Sequence, residues 1–382
     1  MDYTIDRNTL LPALYTAQHI ATTKSPAPIL SHVSLTVDDR TLNVRATDLE
    51  IGFSQLCRGS ENNENGLCDF GSANAKRLYD IVKNLPEGPI ELNAVPGHLH
   101  LLANKSKVSI AILTSEEFPN IEEWGKDQNS QRVDCVAWRL RNALDKALMA
   151  SSESMIGFSN PKSILFEAKK TELLCCVGTD GTRMSHVAGL SDPVEDDVSF
   201  TISLRGAREL RRFLTDPDDL LTLTVTPSVV TVDSNNGRRL LVRLTEGEFP
   251  PYRQFENIQY SGCVPIPCQI FKEALGRVLP FTFKRQYGVD VRLENDTMTL
   301  SSHMPGIGNA TETIAVDCIT AAPTSITYSA YFPADVLNDP LLLMNQNGTA
   351  RFQFTTELGP AKLSAAEDES FTYIMQPVKK II

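Results

Sequence analysis

Three arginines on one short segment have the spacing needed to bind phosphate groups. Residues 202–215 read ISLRGARELRRFLT, and at 100° per residue Arg205, Arg208 and Arg212 fall on one side of a helix, opposite the apolar residues. Guanidinium groups on an exposed face bind phosphate oxygens through charge-assisted hydrogen bonds and without reading base sequence. A solvated surface helix is the simpler alternative, so the segment alone predicts only a basic amphipathic helix.

Residues that could perform catalysis or hold a metal lack the required spacings. The eight cysteines include no CxxC pair, and the six histidines form no HExxH motif. The sequence contains no Walker motif, no carboxylate cluster at metal-binding spacing and no catalytic-triad signature, and GTDG at 178–181 is typical of a turn between strands. These patterns predict a protein that is not an enzyme and has no metal or other cofactor.

Composition indicates a globular chain that works inside the cell. The 382 residues are 42% hydrophobic and 22% charged, and no apolar run approaches the roughly 18 residues of a membrane span. The N-terminus lacks an apolar signal segment, which predicts a cytoplasmic location without membrane partners. The net charge of −11 opposes coating of nucleic acid by the whole surface, so any DNA contact needs a segregated basic region.

The chain repeats itself with a period of about 127 residues, a length typical of domains. An Ala-Leu pair recurs at 13–14, 143–144 and 274–275, and Thr-Asp recurs at 47–48 and 179–180. Each copy predicts helix, antiparallel strands, helix and strands. We therefore expect three similar α+β domains, at 1–127, 128–254 and 255–382.

Positive charge is concentrated on the predicted helices. Together they carry fifteen Lys and Arg against seven Asp and Glu, a net +8 in a chain of −11. The helix at 135–151 presents Arg139 and Lys146 on its polar side, which makes them candidate phosphate contacts. The sixth helix, with two acids and no base, is an exception. The six helices are predicted at 6–22, 73–85, 135–151, 204–214, 268–285 and 332–345.

Several motifs resemble those of the bacterial sliding clamps, the beta subunits of DNA polymerase III. The motifs are APILSHVSL at 27–35, EFPNIEEW at 117–124, GTDGTRMS at 178–185, LTEGEFPPYR at 244–253 and the YIMQPVKKII ending. The resemblance implies three clamp domains per chain and a head-to-tail dimeric ring, with helices inside and antiparallel sheets outside. It also implies a processivity factor that encircles duplex DNA without sequence readout and tethers the polymerase III alpha subunit, the clamp loader and other clamp-motif proteins.

The resemblance also assigns residues to DNA and to ring closure. Lys24, Lys76 and Arg205 match basic positions on or near the inner helices of the family. The loop at 152–161 differs from the tyrosine-bearing loop common there, so no DNA contacts are assigned to it. The implied dimer interface pairs an edge strand of the first domain with the third domain of another copy, through Val108, Ile110, Leu279 and Phe283.

A partner-peptide cleft is implied between the second and third domains. Apolar side chains there would accept two or three hydrophobic anchors of a linear motif, at about 1.5–3 kcal/mol for each fully buried side chain before ordering costs. The matching positions are Pro161, Thr179, Gly181, Thr182, Arg183, Met184, Pro250, Phe255, Ile374, Gln376, Pro377 and Val378.

Two alternative functions remain open from the sequence. Thr182 stands where the family often has His, and Gln376 where it often has Met, which is compatible with a specialised clamp paralogue with altered partners. An enzyme acting on nucleic acid is the other alternative.

Overall fold

A computed structural model describes the chain apart from several short segments and both terminal ends. The described residues are 2–22, 27–60, 66–126, 129–152, 162–255, 257–283, 287–294, 296–317, 319–320, 327–356 and 358–380. They divide into two compact units. Unit 1 comprises residues 1–141 and 205–245, and unit 2 comprises residues 142–204 and 246–382.

Six α-helices occur in the described part of the chain, and each begins within two residues of the end of a strand. None of those helices is long and apolar enough to cross a membrane. Side chains cap the first two at their N-termini: Asp6 accepts from the backbone N–H of Asn8 at 2.8 Å, and Asn74 from that of Arg77 at 3.1 Å. The helices are α1 (Arg7–Ile20), α2 (Ala75–Asn84), α3 (Ala137–Met149), α4 (Leu204–Phe213), α5 (Cys268–Val278) and α6 (Ala334–Leu343).

The strands are short, and every described pairing between them is antiparallel. In chain order they are β1 (Asp2–Asp6), β2 (His32–Asp38), β3 (Thr41–Thr47), β4 (Ile51–Arg58), β5 (Cys68–Asn74), β6 (Pro89–Val95), β7 (His98–Ala103), β8 (Ser106–Leu113), β9 (Gln131–Val136), β10 (Ser163–Ala168), β11 (Cys175–Thr179), β12 (Arg183–Val187), β13 (Val198–Ser203), β14 (Leu220–Val225), β15 (Val229–Ser234), β16 (Arg238–Arg243), β17 (Gly262–Pro267), β18 (Val289–Glu294), β19 (Thr297–Met304), β20 (Gly308–Ala315), β21 (Ile319–Thr320), β22 (Thr327–Phe332), β23 (Thr349–Phe354), β24 (Ala361–Ala365) and β25 (Asp368–Met375).

Unit 1 is built on one twelve-stranded sheet. Its order is β1-β6-β7-β8-β5-β2-β3-β4-β16-β15-β14-β9, so strands from the beginning and the middle of the chain share one sheet through β4 and β16. The helix α1 packs its buried Leu10, Leu14 and Ala17 on this sheet, beside β3 and β4. The polar sides of α1, α2 and α4 thereby remain on the surface of this unit.

Unit 2 contains a nine-stranded and a four-stranded sheet. The larger has the order β13-β10-β11-β12-β25-β24-β23-β17-β21, and the smaller has the order β20-β19-β18-β22. The register of β12 on β25 sets Met184 opposite Ile374. That pairing joins the middle of the chain to its C-terminal strands.

The helix predictions hold for position and type, with one error in length. The predicted helix at 268–285 ends as an α-helix at Val278 and continues as a 3₁₀ turn over Leu279–Phe281. Pro280 accounts for the early end, because its nitrogen cannot donate an intrahelical hydrogen bond. Asn236-Gly237 lies in the hairpin between β15 and β16, and Gly237 has φ 71°.

Candidate nucleic-acid and peptide interfaces

Cationic side chains of α2 and α4 lie near His19 of α1 on the surface of unit 1. Arg205 pairs with Asp48 at 2.5 Å and donates to the carbonyl oxygen of Ile20 at 3.3 Å, which attaches α4 to the end of α1. Arg212 pairs with Glu209 at 2.6 Å on the same helix. Burial and the nearby Arg212 lower the pKa of His19, so this imidazole is neutral at pH 7 and adds no charge.

The exposed cations of this surface are suited to phosphate. Lys76 on α2 is well exposed and lies 3.8 Å from Asp80, a contact too open to restrain it. Arg208 is exposed on α4. On α3, Arg139 is exposed and stacks on the ring of Trp138 at 5.6 Å. We call Lys76, Arg205, Arg208 and Arg212 the basic helix surface.

Lys146 does not belong to a phosphate-binding surface, and its assignment to DNA was wrong. Its side chain is 3% exposed, and its Nζ lies 2.8 Å from Asp368 and 4.5 Å from the ring centroid of Phe371. Burial of Asp368 would raise its pKa, but hydrogen bonds from Lys146 and Ser370 lower it. The helix α3 contacts β25 at this point. Lys146, which the helical spacing assigned to the polar side of α3, is therefore covered by β25.

A turn between β11 and β12 forms one wall of a groove in unit 2. Thr179 donates through Oγ1 to the carbonyl oxygen of Arg183 at 2.7 Å and accepts from the N–H of Gly181 at 3.0 Å. Asp180 accepts from the N–H of Thr182 at 2.9 Å. Gly181 has φ 82°, a conformation that side chains other than glycine seldom adopt. We call residues 179–184 the second turn, because a similar turn occurs earlier in the chain, at residues 47–52.

The groove is open to solvent and largely apolar. Met184 and Ile374 belong to a buried cluster with Tyr252 at its base. Burial raises the pKa of Tyr252, whose hydroxyl donates to Glu167 at 2.6 Å, so the ring is fixed beneath the groove. The lining residues are Thr179, Gly181, Thr182, Arg183, Met184, Pro250, Pro251, Tyr252, Gln254, Phe255, Pro360, Ile374 and Gln376.

The guanidinium of Arg183, a residue that lines the groove, is engaged by three carboxylates. It lies 3.2 Å from Asp180, 2.9 Å from Asp339 and 3.5 Å from Asp335, and its side chain is 8% exposed. Burial alone would lower the pKa of Arg183, but the surrounding Tyr373 and aspartates raise it above its ordinary value. The two acids of α6 therefore have a structural role, which explains why this helix departs from the basic pattern.

Several strands have an open edge within the described residues, among them β8 and β20. The strand β8 pairs with β7, but with β5 only through Ile112 and Leu113, which leaves its outer edge unpaired from Ser106 to Ala111. In unit 2, β20 pairs with β19 alone. Val108 is half-buried and Ile110 is buried on β8, whereas Leu279 is half-buried and Phe283 is exposed in unit 2. Open edges with apolar neighbours are sites where another strand can add.

Three family models match the chain in order. They are the N-terminal, central and C-terminal domains of the DNA polymerase III beta subunit, at residues 1–122, 162–251 and 259–379. The chain belongs to the DNA polymerase III beta subunit family. The order of the matches also accounts for the threefold repeat in the sequence.

Relatives of the same length support this membership. The beta sliding clamps of Vibrio cholerae and Escherichia coli K12 are each 25% identical to the chain, over 99% of it and 100% of the relative. Among solved structures, the DNA polymerase III subunit beta of Pseudomonas aeruginosa superposes with a TM-score of 0.88 at 22% identity, covering 99% of this chain and 100% of that one. The DNA polymerase sliding clamp of Bacillus subtilis gives 0.87 at 19% identity, with complete coverage of both.

Nine of the twelve residues assigned to the cleft lie together in the groove. Pro377 and Val378 follow it directly, and the N–H of Val378 donates to the carbonyl oxygen of Tyr331 at 2.9 Å instead of lining it. Pro161 and Lys24 lie outside the described residues, as does most of the loop at 152–161. Their assigned roles remain predictions.

Sequence reasoning missed four lining residues. Pro251, Tyr252 and Gln254 lie between the assigned Pro250 and Phe255, so the continuous PPYRQF run was the signal that could have identified them. Pro360 comes from a loop before β24 and carries no such signal. In the described part of the chain, no group of three His, Cys, Asp or Glu side chains is placed to hold a metal ion.

Proposed function

We propose that the chain is a non-catalytic processivity factor for DNA replication. In this proposal two copies close head to tail around duplex DNA, and the ring tethers the polymerase III alpha subunit, the clamp loader and other clamp-motif proteins in the cytoplasm. Each copy contributes three clamp domains, with boundaries proposed at 1–127, 128–254 and 255–382.

The observation that carries the proposal is the groove beside the second turn. An apolar groove that is open to solvent and based on Met184, Tyr252 and Ile374 offers a surface for the apolar side chains of a short peptide. Partner exchange needs moderate affinity, and two or three buried anchors supply that after ordering costs.

The basic helix surface supports the DNA contact. Non-specific phosphate contacts of this kind have dissociation constants of about 10⁻⁴–10⁻⁶ M at physiological salt, too weak to retain a polymerase through a long replication run. Enclosure by a closed ring supplies the retention, while weak contacts permit sliding. The open edges of β8 and β20 support closure by strand addition between copies, beside Val108, Ile110, Leu279 and Phe283.

A double substitution in the groove tests the proposal. We expect Met184→Ala with Ile374→Ala to weaken binding of the polymerase alpha-subunit tail peptide at least tenfold, because each side chain contributes about 1.5–3 kcal/mol when buried. Fluorescence anisotropy of a labelled peptide measures the affinity. Sedimentation of the same variant serves as the control, since ring closure does not involve these residues. Unchanged peptide affinity, or a wild-type chain that is monomeric at micromolar concentration, would contradict the proposal.

A specialised paralogue is favoured by one observation only, the polar pair Thr182 and Gln376 at the groove. The backbone N–H of Gln376 donates to the carbonyl oxygen of Thr182 at 2.8 Å. The replicative clamp therefore remains the proposal, and preference for a different polymerase's tail in the same assay would favour the paralogue.

A further inference from the structure

The chain contains a second copy of the groove's framework, formed by a turn in unit 1. In residues 47–52, which we call the first turn, Thr47 donates through Oγ1 to the carbonyl oxygen of Ile51 at 2.9 Å and accepts from the N–H of Leu49 at 3.0 Å. These bonds match those of the second turn. Leu49 has φ 76°, close to the 82° of Gly181.

The equivalence extends to the neighbouring segments. The backbone N–H of Arg243 donates to the carbonyl oxygen of Glu50 at 2.9 Å, as that of Gln376 does to Thr182. The segments FPNIEEW at 118–124 and FPPYRQF at 249–255 start with the same dipeptide, which makes Trp124 equivalent to Phe255. The turn, the adjacent strand and the Phe-Pro segment of the groove therefore have counterparts in unit 1.

In unit 1 the counterpart of the groove is occupied by the chain's own arginine. The guanidinium of Arg243 lies 4.5 Å from the centroid of the Trp124 ring, and its Nε donates to the carbonyl oxygen of Leu49 at 2.8 Å. The ring of Trp124 packs on the buried Ile121 and Leu241. A planar cation thus stacks on the aromatic ring and satisfies the carbonyl of the turn at once.

In unit 2 the corresponding aromatic ring and turn carbonyl, those of Phe255 and Gly181, have no such contact with an arginine of the described residues. Gln376 replaces the arginine, and its Nε2 donates to the carbonyl oxygen of Leu358 at 2.7 Å. The ring of Phe255 is 36% exposed, and no cation or aromatic ring of the described residues stacks on it. Phe255 and Gly181 both line the groove.

We propose that partner segments bind this groove with an arginine beside their apolar anchors, and that its guanidinium stacks on Phe255 and donates to the carbonyl oxygen of Gly181. The inference rests on the proposed peptide-binding function and specifies the ligand. Arginine is favoured over lysine because one planar group supplies both the stacking face and the N–H donor. The contact would reproduce the pair that Arg243 makes with Trp124 and Leu49.

A peptide panel on the full-length chain tests the inference. The probe is a labelled eight-residue peptide with leucine and phenylalanine anchors, carrying one arginine at each other position in turn. Matched peptides carry citrulline, which keeps the planar shape, the Nε–H and one terminal NH₂ group but not the charge. At one position we expect arginine to bind about three- to fivefold tighter than citrulline, the range for an exposed cation–π contact. At the remaining positions the two should be equal.

A variant of the groove separates stacking from general attraction to an acidic protein. Phe255→Leu keeps an apolar side chain, so it should abolish the arginine preference whatever its effect on the citrulline peptide. Equal affinities at all positions, or a preference that persists in Phe255→Leu, would overturn the inference while leaving the groove as a peptide site. Failure of every peptide to bind, or binding that survives Met184→Ala with Ile374→Ala, would instead overturn the proposed function.

Discussion

The first and second turns have the same backbone hydrogen bonds but opposite charges toward a helix. In the first turn the acid Asp48 accepts from Arg205 of α4. In the second turn the base Arg183 is paired by Asp335 and Asp339 of α6. Internal repeats can therefore preserve a turn and its aspartate, Asp48 or Asp180, while the charge that pairs with a helix changes sign. The charge that a helix carries therefore depends on the ion pair that it forms within the chain as well as on any ligand that it binds.

The arginines of the two ion pairs, Arg183 and Arg205, also differ in burial. The largest predicted effect on the free energy of unfolding depends on that difference. Arg183 is 8% exposed, whereas Arg205 is 42% exposed. Replacement by methionine removes the charge while it keeps much of the apolar length. We expect Arg183→Met to lower the free energy of unfolding by about 3–5 kcal/mol, since it leaves three carboxylates without their cation.

The matched variant, Arg205→Met, should lower the free energy of unfolding by only about 1 kcal/mol. Arg205 is partly solvated, and Asp48 would still accept from the N–H groups of Glu50 and Ile51. Urea denaturation followed by circular dichroism measures both variants. Equal decreases in the free energy of unfolding for the two variants would contradict the expected dependence on burial.

Salt dependence of DNA binding distinguishes a phosphate contact from a buried cation. We expect Arg208→Glu on α4 to weaken binding of a labelled duplex and to reduce the slope of log affinity against log salt by about 1, the value for one lost phosphate contact. Fluorescence anisotropy at several salt concentrations measures the slope. Lys146→Met is the control, because Lys146 is buried against Asp368. An unchanged slope for Arg208→Glu would remove α4 from the DNA interface.

The smallest effect concerns pH. Burial raises the pKa of Asp339 above its ordinary value of 3.8, and Arg183 only partly offsets this. The folded state thus holds its proton to higher pH, so stability should fall as pH rises from about 3.8 through the raised pKa. Asp339→Asn should lack this decrease. Asp368→Asn is the opposite control, because the lowered pKa of Asp368 stabilises the fold above 3.8 and that stability is lost in acid.

The repeated elements were predictable from sequence because their signals are local. Apolar periodicity located the six helices, apart from the early end of the fifth. The repeat also brought Thr47-Asp48 and Thr179-Asp180 into correspondence, and their hydrogen bonds agree. For the groove, the resemblance to a known family supplied nine lining residues.

Long-range contacts were not predictable from these signals. Lys146 has the helical position of an exposed cation, but it is buried by Asp368, which lies 222 residues away. The acids of α6 gave no indication that their partner is Arg183, in a distant strand. Pro360 reaches the groove from a loop without any motif. In each case tertiary packing decided the role of a side chain whose local pattern was uninformative.

The proposed association through the open edges of β8 and β20 has a geometric consequence for assemblies of the chain. The two edges differ in sequence and lie in different units, so a contact between them is heterologous and does not saturate itself. Repeated addition must either return to its starting point or continue as a filament. A substitution that alters the rotation between successive copies could therefore turn a discrete assembly into fibres, even if every contact is kept.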